Sequence, residues 1–448
     1  TFASVIIGSG KGNLSKRQAV RGMLEGLRDA LNRLPEKSGI VKVKKLILIE
    51  HSKEYYKLIL DILHEFKSDK KVSDMDLKIT QTKMKRSMTR WKDRPEDIPE
   101  QALPGTRITI ERNRDIFVFS ALQESAVIPA REVEVQSFFA SGAAERLMQS
   151  SMLKEQEQYG QLLNTYLIPE DFHQLITDSE TLTLILDRST AAFPWEMACF
   201  RSAMGLRFFG PDLKLTRQFR TMLSSAPGII PHRKGALKAL IIADPCLEPE
   251  LQLPGARREG REVVKVLNRY KKDLDITVVD RIGAVECDPV EILALMLNED
   301  FDIVHFAGHG VFDEKDPHHS GWVFGRDRIL SAREIFRARR VSTFVFANAC
   351  FSAVIKERQA TNADEMNRRL AGLAEAFFER GIQNYIGAGW PVDDDPAVAF
   401  ASVFYENALS GEMLGESLSM ARKRIMGLGS TWGAYQHYGQ VNARLVTK

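Results

Sequence analysis

Two short segments contain the residues best suited to chemistry: HFAGHG, at His305–Gly310, and NAC, at Asn348–Cys350. Each ends an apolar run typical of a buried strand, so each places a reactive side chain where a strand ends. A histidine can act as a base, and a cysteine thiolate is a nucleophile. Neighbouring strands lie about 4.8 Å apart, so His309 and Cys350 can converge on one substrate carbonyl if their strands are adjacent. This pairing favours a cysteine peptidase as the first hypothesis.

The residues around this pair suggest further roles. Gly310 lacks a Cβ, so its backbone N–H can approach a ligand closely. Together with the N–H of Cys350 it could form an oxyanion hole. His305, four residues upstream on the same strand, is predicted to be a core histidine. The alternative is that Cys350 only packs in the core and His309 is structural, because a single cysteine at a strand end is more often buried packing than a nucleophile.

Three carboxylates follow another apolar run: Asp393, Asp394 and Asp395, directly after GWPV. Carboxylates at the end of a strand could form a pocket for a basic substrate side chain, which they would hold through charge-assisted hydrogen bonds. We therefore consider Asp394 and Asp393 as candidate substrate-binding residues. The alternative is a helix cap, with Asp395 at the N-cap and Pro396 at the first helical position.

Strand-like and helical patterns alternate along the whole chain. This alternation predicts an α/β fold with a mostly parallel sheet sandwiched by helices, preceded by a smaller α/β domain. We place the smaller domain at residues 1–165 and the larger at 166–448. The predicted strands of the larger domain are 181–187, 236–244, 276–280, 301–310, 341–350 and 383–389.

The composition narrows the classes of function. The chain has 448 residues and is 44% hydrophobic and 27% charged, as expected for a soluble globular protein of two or three domains. Its formal net charge of +3 argues against nucleic-acid binding over the whole surface. We find no apolar run of membrane-spanning length and no signal-peptide pattern. The four cysteines form no CxxC pair and have no metal-ligand spacing, which predicts a cytoplasmic protein without a metal site or cofactor.

Three other segments carry weaker hypotheses. The glycine-rich segment Gly8–Asn13 could bind an anion at a helix N-terminus, although a tight turn is the alternative. The segment between Lys356 and Arg369 could be a site of self-cleavage if the acidic pocket exists. A basic segment with one aromatic residue could bind nucleic acid or an acidic partner, and the alternative is a solvated loop. Its residues are Lys83, Lys85, Arg86, Arg90, Trp91, Lys92 and Arg94.

The order of motifs, a strand ending in HG and then a strand ending in NAC, resembles the clan of caspases, separase, gingipains and legumain. The sequence around these motifs resembles the CHAT domain, the caspase-like peptidase of bacteria, more closely still. The similar segments cover about residues 170–448: FPWEMACF, PGARREGREVVKVL, FDIVHFAGHGVFD, FVFANACFSA and YIGAGWPVDDDPAVAFASVFYENAL. The resemblance implies a caspase-like sheet, with His309 as general base and Cys350 as nucleophile. In the related separases an aspartate of a W-x-V-x-D stretch recognises arginine, and Asp394 occupies that position here.

The resemblance also implies partners. It suggests a protein substrate cut after a basic residue, in bacterial defence or signalling, with a gasdermin-like pore former or another effector as a target by analogy. The stretch GSGKGNLSKRQAVRGMLEGL is similar to the N-terminal domain of leucyl aminopeptidases, which implies a domain that senses a ligand or binds a regulatory protein. Two alternatives stay open: a non-catalytic interaction scaffold built on a peptidase fold, and a nucleotide-sensing module that uses Gly8–Asn13.

Overall fold

The computed structural model describes residues 2–5, 20–27, 46–49, 59–60, 62–64, 66–67, 105–122, 127–202, 205–219, 237–313, 319–335, 337, 342–350, 370–375, 377–378 and 382–446. The chain divides into two compact units, Thr1–Asp97 and Ile98–Lys448. In the first unit, strand β1 (Phe2–Val5) pairs in parallel with β2 (Leu46–Ile49). Residues 20–27, which lie between these strands in the chain, are helical, and a helix is the usual connection between parallel strands. A small apolar cluster supports the unit: Val20, Leu24, Ile59, Ile62 and Phe66.

The second unit contains the remaining labelled elements. Its strands are β3 (Thr106–Asn113), β4 (Ile116–Leu122), β5 (Val127–Glu134), β6 (Leu182–Leu186), β7 (Cys199–Ser202), β8 (Gly205–Phe208), β9 (Thr216–Phe219), β10 (Leu237–Ala243), β11 (Ile276–Ile282), β12 (Ile303–Val311), β13 (Gly321–Gly325), β14 (Arg328–Ser331), β15 (Phe344–Cys350), β16 (Asn384–Ala388) and β17 (Tyr435–Tyr438). Its helices are α1 (Ser137–Gln149), α2 (Leu153–Leu167), α3 (Glu170–Thr177), α4 (Phe209–Asp212), α5 (Pro254–Arg269), α6 (Lys271–Leu274), α7 (Pro289–Asn298), α8 (Ala332–Ile335), α9 (Asp394–Leu409), α10 (Leu414–Ile425) and α11 (Thr431–Ala434).

One sheet runs through this unit in the order β11-β10-β12-β15-β16-β17-β9-β6-β3-β4-β5, and β13 and β14 extend from β12. The five strands from β11 to β16 are parallel to one another. So are β17, β9, β6 and β3, while β16 and β17 join the two blocks in antiparallel fashion. The prediction of an α/β fold with a mostly parallel sheet flanked by helices is confirmed.

The central strands are buried on consecutive residues rather than on alternate ones. All five residues of β16 are buried, and so are the first six of β12, Ile303–Gly308. Consecutive burial means that both faces of the sheet are covered, which is why these strands read as continuous apolar runs. Long apolar runs of this kind are also the strands that the sequence predicts best.

Helix α5 lies unusually close to the sheet. Its buried residues recur at a helical spacing and form one face. A Cβ at Gly260 would lie only 2.5 Å from the Cβ of Ala243 on β10, so only glycine permits this approach. The helix therefore crosses directly over the strands that end at the predicted site. Its other neighbour is α9, where the carbonyl of Glu406 accepts a hydrogen bond from the hydroxyl of Tyr270.

The two compact units divide between Asp97 and Ile98, whereas the sequence pattern suggested a boundary at 165/166. The reason lies in strand pairing. Strand β3 pairs in parallel with β6, from Thr106 opposite Leu182 to Ile110 opposite Leu186. Residues before position 166 thus contribute strands to the larger sheet, and position 165 lies inside α2. Among the described residues, no helix is both long enough and apolar enough to cross a membrane.

Candidate active site

His309 and Cys350 lie opposite each other on neighbouring parallel strands. Strands β12 and β15 pair from Ile303 opposite Phe344 as far as His309 opposite Cys350. Cys350 is the last residue of β15, and His309 lies two residues before the end of β12, so both are close to the strand ends at which the sequence pattern places them. The structure describes the backbone position of Cys350, and residues 351–369, with the predicted self-cleavage segment, lie outside the described residues.

The chain changes partner around His309. Strand β12 pairs with β10 only as far as Ala307, and then with β13, where Gly310 lies opposite Trp322. A Cβ at Gly308 would lie 2.8 Å from the ring of Phe306, so a glycine is needed where the strand leaves β10. The predicted oxyanion donor Gly310 is thus a buried residue of β12 at the point where this strand pairs with β13, and its role stays a prediction.

The ring of His309 is held by a backbone carbonyl. Its Nε2 lies 3.0 Å from the carbonyl oxygen of Leu251. Because a carbonyl oxygen only accepts hydrogen bonds, Nε2 carries the hydrogen and donates it. In a neutral imidazole the lone pair is then on Nδ1. Nδ1 is therefore the ring atom that is free to accept a proton.

The local environment also favours the neutral ring. Burial lowers the pKa of His309 from its ordinary value of 6.5, while the bond to Leu251 and the negative charge of Asp244 partly oppose that fall. A lowered pKa keeps the imidazole unprotonated at neutral pH, which is the form that can remove a proton. The hydrogen bond to Leu251 and the burial of the ring thus both favour a neutral imidazole with its lone pair on Nδ1.

The carbonyl of Leu251 is itself fixed. Leu251 ends a 3-10 turn, Pro249–Leu251, in which its N–H donates to the carbonyl of Glu248 at 2.9 Å. The Leu251 side chain is buried in a small cluster with Cys246 and Val323. No sequence pattern signals this partner of His309, because the group involved is a backbone atom that every residue carries.

A buried polar network lies one step deeper, between α5 and the two strands. Glu259 on α5 accepts a hydrogen bond from the amide of Asn348 at 2.6 Å. The other oxygen of Glu259 is 3.3 Å from Nε2 of His305, without the alignment of a hydrogen bond. The Nδ1 of His305 lies 3.3 Å from the hydroxyl of Tyr405. The core position predicted for His305 is correct, and Glu259, which the sequence did not suggest, links α5 to both strands.

The acidic triplet is at the surface. The helix after the triplet begins at Asp394, with Asp393 at its N-cap. The predicted cap at Asp395 with Pro396 as the first helical residue is therefore wrong. Asp394 and Asp395 are instead the first two residues of the helix. Proline is tolerated in the first turn of a helix because its missing N–H would have no intrahelical partner there.

The side chains of the triplet are already engaged. Arg258 on α5 pairs with Asp395 at 2.8 Å and with Asp394 at 3.5 Å. The side chain of Asp394 is 63% exposed and that of Asp395 is 83% exposed. Among the described residues, these carboxylates therefore do not line a closed pocket. Asp393 instead contacts Thr431, whose hydroxyl accepts the backbone N–H of Asp393 at 3.1 Å and donates to its Oδ2 at 3.4 Å. The structure brings Asp394 next to α5, which begins three residues after Leu251.

The FPWEMACF segment proves to be structural. Glu196 and Arg217 form a fully buried ion pair that joins the segment to β9. The indole N–H of Trp195 donates to the carbonyl of Thr190 at 2.8 Å. A buried charge is tolerated only when it is paired, and Glu196 and Arg217 pair with each other. The tryptophan and glutamate of this motif therefore build the sheet and do not reach the predicted site.

Other predicted features have no described counterpart. Gly8–Asn13 and the basic segment between Lys83 and Arg94 lie outside the described residues. Within the described residues no group of three or more His, Cys, Asp or Glu side chains is arranged to hold a metal ion. Three thiols are free and buried, Cys199, Cys246 and Cys287. Burial raises their pKa to about 12, 11 and 12 respectively, so they stay protonated and unreactive.

Comparison with known proteins gives one family match. The model described as the CHAT domain matches residues 157–440, a range that includes the paired strands, α5 and the acidic triplet. The sequence matches none of the curated proteins with which it was compared.

Similar solved structures include separase in its complex with securin from Saccharomyces cerevisiae. That comparison has 11% identity and a TM-score of 0.47, and it covers 76% of this chain and 30% of the separase chain. The Arg-specific cysteine proteinase gingipain R is another, with 11% identity and a TM-score of 0.39, covering 69% of this chain and 76% of that chain. This chain thus spans less than a third of the separase chain.

Proposed function

The chain belongs to the CHAT-domain family, and from that premise we propose that it is a cysteine endopeptidase with His309 as general base and Cys350 as nucleophile. The observation that carries the proposal is the register of β12 and β15, in which His309 is the direct partner of Cys350. The hydrogen bond from His309 Nε2 to the Leu251 carbonyl supports it, since it leaves Nδ1 as the basic atom.

The proposed reaction begins when His309 Nδ1 takes the thiol proton of Cys350. The thiolate attacks the carbonyl carbon of the scissile bond, and the N–H groups of Gly310 and Cys350 stabilise the oxyanion. The C–N bond then breaks as the imidazolium gives its proton to the leaving amine, which leaves a thioester on Cys350. A water molecule that His309 deprotonates hydrolyses the thioester and restores the thiol.

The proposed substrate is a protein cut after a basic residue, selected by Asp394 with a contribution from Asp393. The ion pairs of Arg258 support this choice, because they demonstrate that the carboxylates of Asp394 and Asp395 can accept a guanidinium. For a substrate to use them, Arg258 must move aside or share them.

A peptide panel tests both parts of this proposal. The full chain is incubated with peptides that differ only in the residue before the scissile bond: Arg, Lys, Leu or Asp. We expect cleavage after Arg and Lys by the wild type and none by Cys350→Ala or His309→Gln. His173→Gln is a matched control, since the His173 ring also bonds a backbone carbonyl, that of Ile168 at 3.1 Å, but on α3. Cleavage that survives Cys350→Ala refutes the nucleophile, and equal cleavage of all four peptides refutes the specificity.

The proposed setting is the bacterial cytoplasm, in defence or signalling. The buried free thiols Cys199, Cys246 and Cys287 support a reducing compartment. We propose that the N-terminal unit resembles that of leucyl aminopeptidases and binds the activating ligand or protein. We propose a gasdermin-like or other effector as substrate. Incubating wild type and Cys350→Ala with the products of neighbouring genes tests this: a band cleaved only by the wild type is expected. If no state of the protein cleaves any of them, the interaction scaffold or the nucleotide-sensing module replaces the peptidase.

A further inference from the structure

Asp244 stands out among the buried charged residues because it sits where β10 ends, beside β12. Its carboxylate is buried, and its backbone N–H donates to the carbonyl of Ala307 at 2.9 Å. Its φ is +50°, in the left-handed region that, apart from glycine, asparagine and aspartate adopt most readily. A buried carboxylate at this position requires hydrogen-bond partners.

The carboxylate has two partners, and both lie at the start of α5. One oxygen, Oδ1, accepts the backbone N–H of Leu253 at 2.7 Å. The other, Oδ2, accepts from Nε of Arg257 at 2.9 Å and lies 2.6 Å from its Nη2. These bonds close the chain between Asp244 and Leu253 into a loop, with the arginine neutralising the buried charge.

The loop that Asp244 closes contains the carbonyl that holds His309. Leu251 is two residues before Leu253, and its oxygen accepts the hydrogen bond from Nε2 of His309. We propose that Asp244 is a positioning residue: it fixes the 244–253 loop so that the Leu251 carbonyl orients the His309 ring. This role rests on the proposed peptidase function, but the bonds that define it do not.

Two substitutions separate the geometric contribution from the electrostatic one. Asp244→Asn keeps an oxygen that can accept from Leu253 and removes the negative charge. Asp244→Ala removes the oxygen and the charge together. The matched control is Asp302→Asn: Asp302 is also buried, and its Oδ2 accepts the Lys238 N–H at 3.0 Å, but at the opposite end of β10 and β12.

The first measurement is an NMR titration of the full-length protein with labelled histidine, which gives the pKa of His309. The negative charge of Asp244 raises the pKa of His309, so removing that charge should lower the pKa. We expect a lower pKa in Asp244→Asn, a still lower one in Asp244→Ala, where the bond to Leu251 is also loosened, and the wild-type value in Asp302→Asn. This readout needs no substrate, so it remains valid if the protein has no peptidase activity.

The second measurement is turnover of an arginine peptide. We expect Asp244→Ala to lower kcat roughly 10- to 100-fold with little change in KM, because the base is misplaced while the substrate contacts remain. Asp244→Asn should retain most of kcat, because the oxygen that accepts from Leu253 is kept. Its effect on kcat should be limited to pH values near the pKa of His309. If folded Asp244→Asn and Asp244→Ala both keep the wild-type His309 pKa, the inference is wrong even if the protein is a peptidase. If the pKa shifts as expected but no variant and no wild type cleaves peptides, the proposed function fails and the positioning role stands.

Discussion

His309 on β12 and Cys350 on β15 are the last register partners of two parallel strands. Their backbones are therefore neighbours, at the strand-to-strand distance of about 4.8 Å. Glu259 of helix α5 bonds Asn348, two residues before Cys350, and the loop before α5 contributes the Leu251 carbonyl that holds the His309 ring. The site is thus assembled from two strands, one helix and the loop before that helix, and each can be tested separately.

The first prediction concerns the pH dependence of catalysis. Because burial lowers the pKa of His309 below 6.5, the ring stays neutral and basic to a lower pH than an exposed histidine would. The acid limb of kcat/KM should therefore lie below pH 6.5. The measurement is a pH profile of kcat/KM with circular dichroism at each pH to establish that the protein is folded. An acid limb above pH 6.5 in folded protein would contradict the environment described for His309.

The second prediction concerns Arg258, which occupies the carboxylates proposed to select the substrate. Arg258→Gln should lower KM for arginine peptides, since Asp394 becomes free to bind the substrate. Asp394→Asn should raise KM for arginine peptides and leave leucine peptides unaffected. Arg261→Gln, an exposed position on the same helix, is the matched control and should change neither. Unchanged KM values for arginine peptides in both Arg258→Gln and Asp394→Asn would contradict selection of the substrate by the triplet.

The third prediction concerns Glu259. Replacing it by alanine leaves the partly buried amide of Asn348 without its acceptor, which costs about 1–3 kcal/mol of unfolding free energy. Because Asn348 is two residues before Cys350, turnover should fall as well. Glu259→Gln keeps an acceptor of the same shape and should lose less of both. Glu262→Ala, which removes an ion pair with Lys265 on the same helix, should change stability by under about 0.5 kcal/mol.

Urea unfolding at neutral pH measures these differences. If Glu259→Ala and Glu262→Ala are equally stable and equally active, the buried network has no role in holding the two strands.

The fourth prediction concerns stability in acid. His437 on β17 is fully buried, with Nδ1 3.1 Å from the hydroxyl of Thr216 and Nε2 3.1 Å from the amide oxygen of Asn384. Burial and the charge of Arg422 lower its pKa from 6.5 to about 3. The unfolded chain therefore takes up a proton that the folded chain refuses. Stability from this group is complete above pH 6.5 and is lost as the pH falls toward 3.

A glutamine at this position cannot be protonated. Between pH 7 and pH 4 the wild type should therefore lose on the order of a few kcal/mol more unfolding free energy than His437→Gln. Urea midpoints at the two pH values measure this difference. His173→Gln, at a partly buried position, should follow the wild type. An equal loss in the wild type and in His437→Gln would remove His437 as a source of acid sensitivity.

The central strands could be predicted because long apolar runs, such as those of β12 and β15, identify buried parallel strands in any context. Strands β9 and β17 could not. Their sequences, TRQF and YQHY, are short and polar. Their buried polar residues are tolerated because distant partners satisfy them, Glu196 for Arg217 and Asn384 for His437. A pattern of local residues contains no information about such partners.

The same distinction applies to the site. His309 and Cys350 stand out by residue type and by their position near strand ends. The Leu251 carbonyl has no side-chain signature, and Asp244 reads only as the polar residue that ends an apolar run. Asp394 was picked out by its motif, but its partner Arg258 lies 136 residues earlier in the chain and becomes its neighbour only when α5 and α9 pack together.

The most direct test of the central claim is covalent labelling of the full chain with a peptide that ends in arginine and carries a thiol-reactive acyloxymethyl ketone. Cys199, Cys246 and Cys287 are buried with raised pKa values, so they provide an internal background. We predict modification at Cys350 alone, abolished in His309→Gln and unchanged in His173→Gln. Labelling of Cys350 at the same rate without His309, or no labelling of Cys350 with or without the candidate activators, would contradict the catalytic pair.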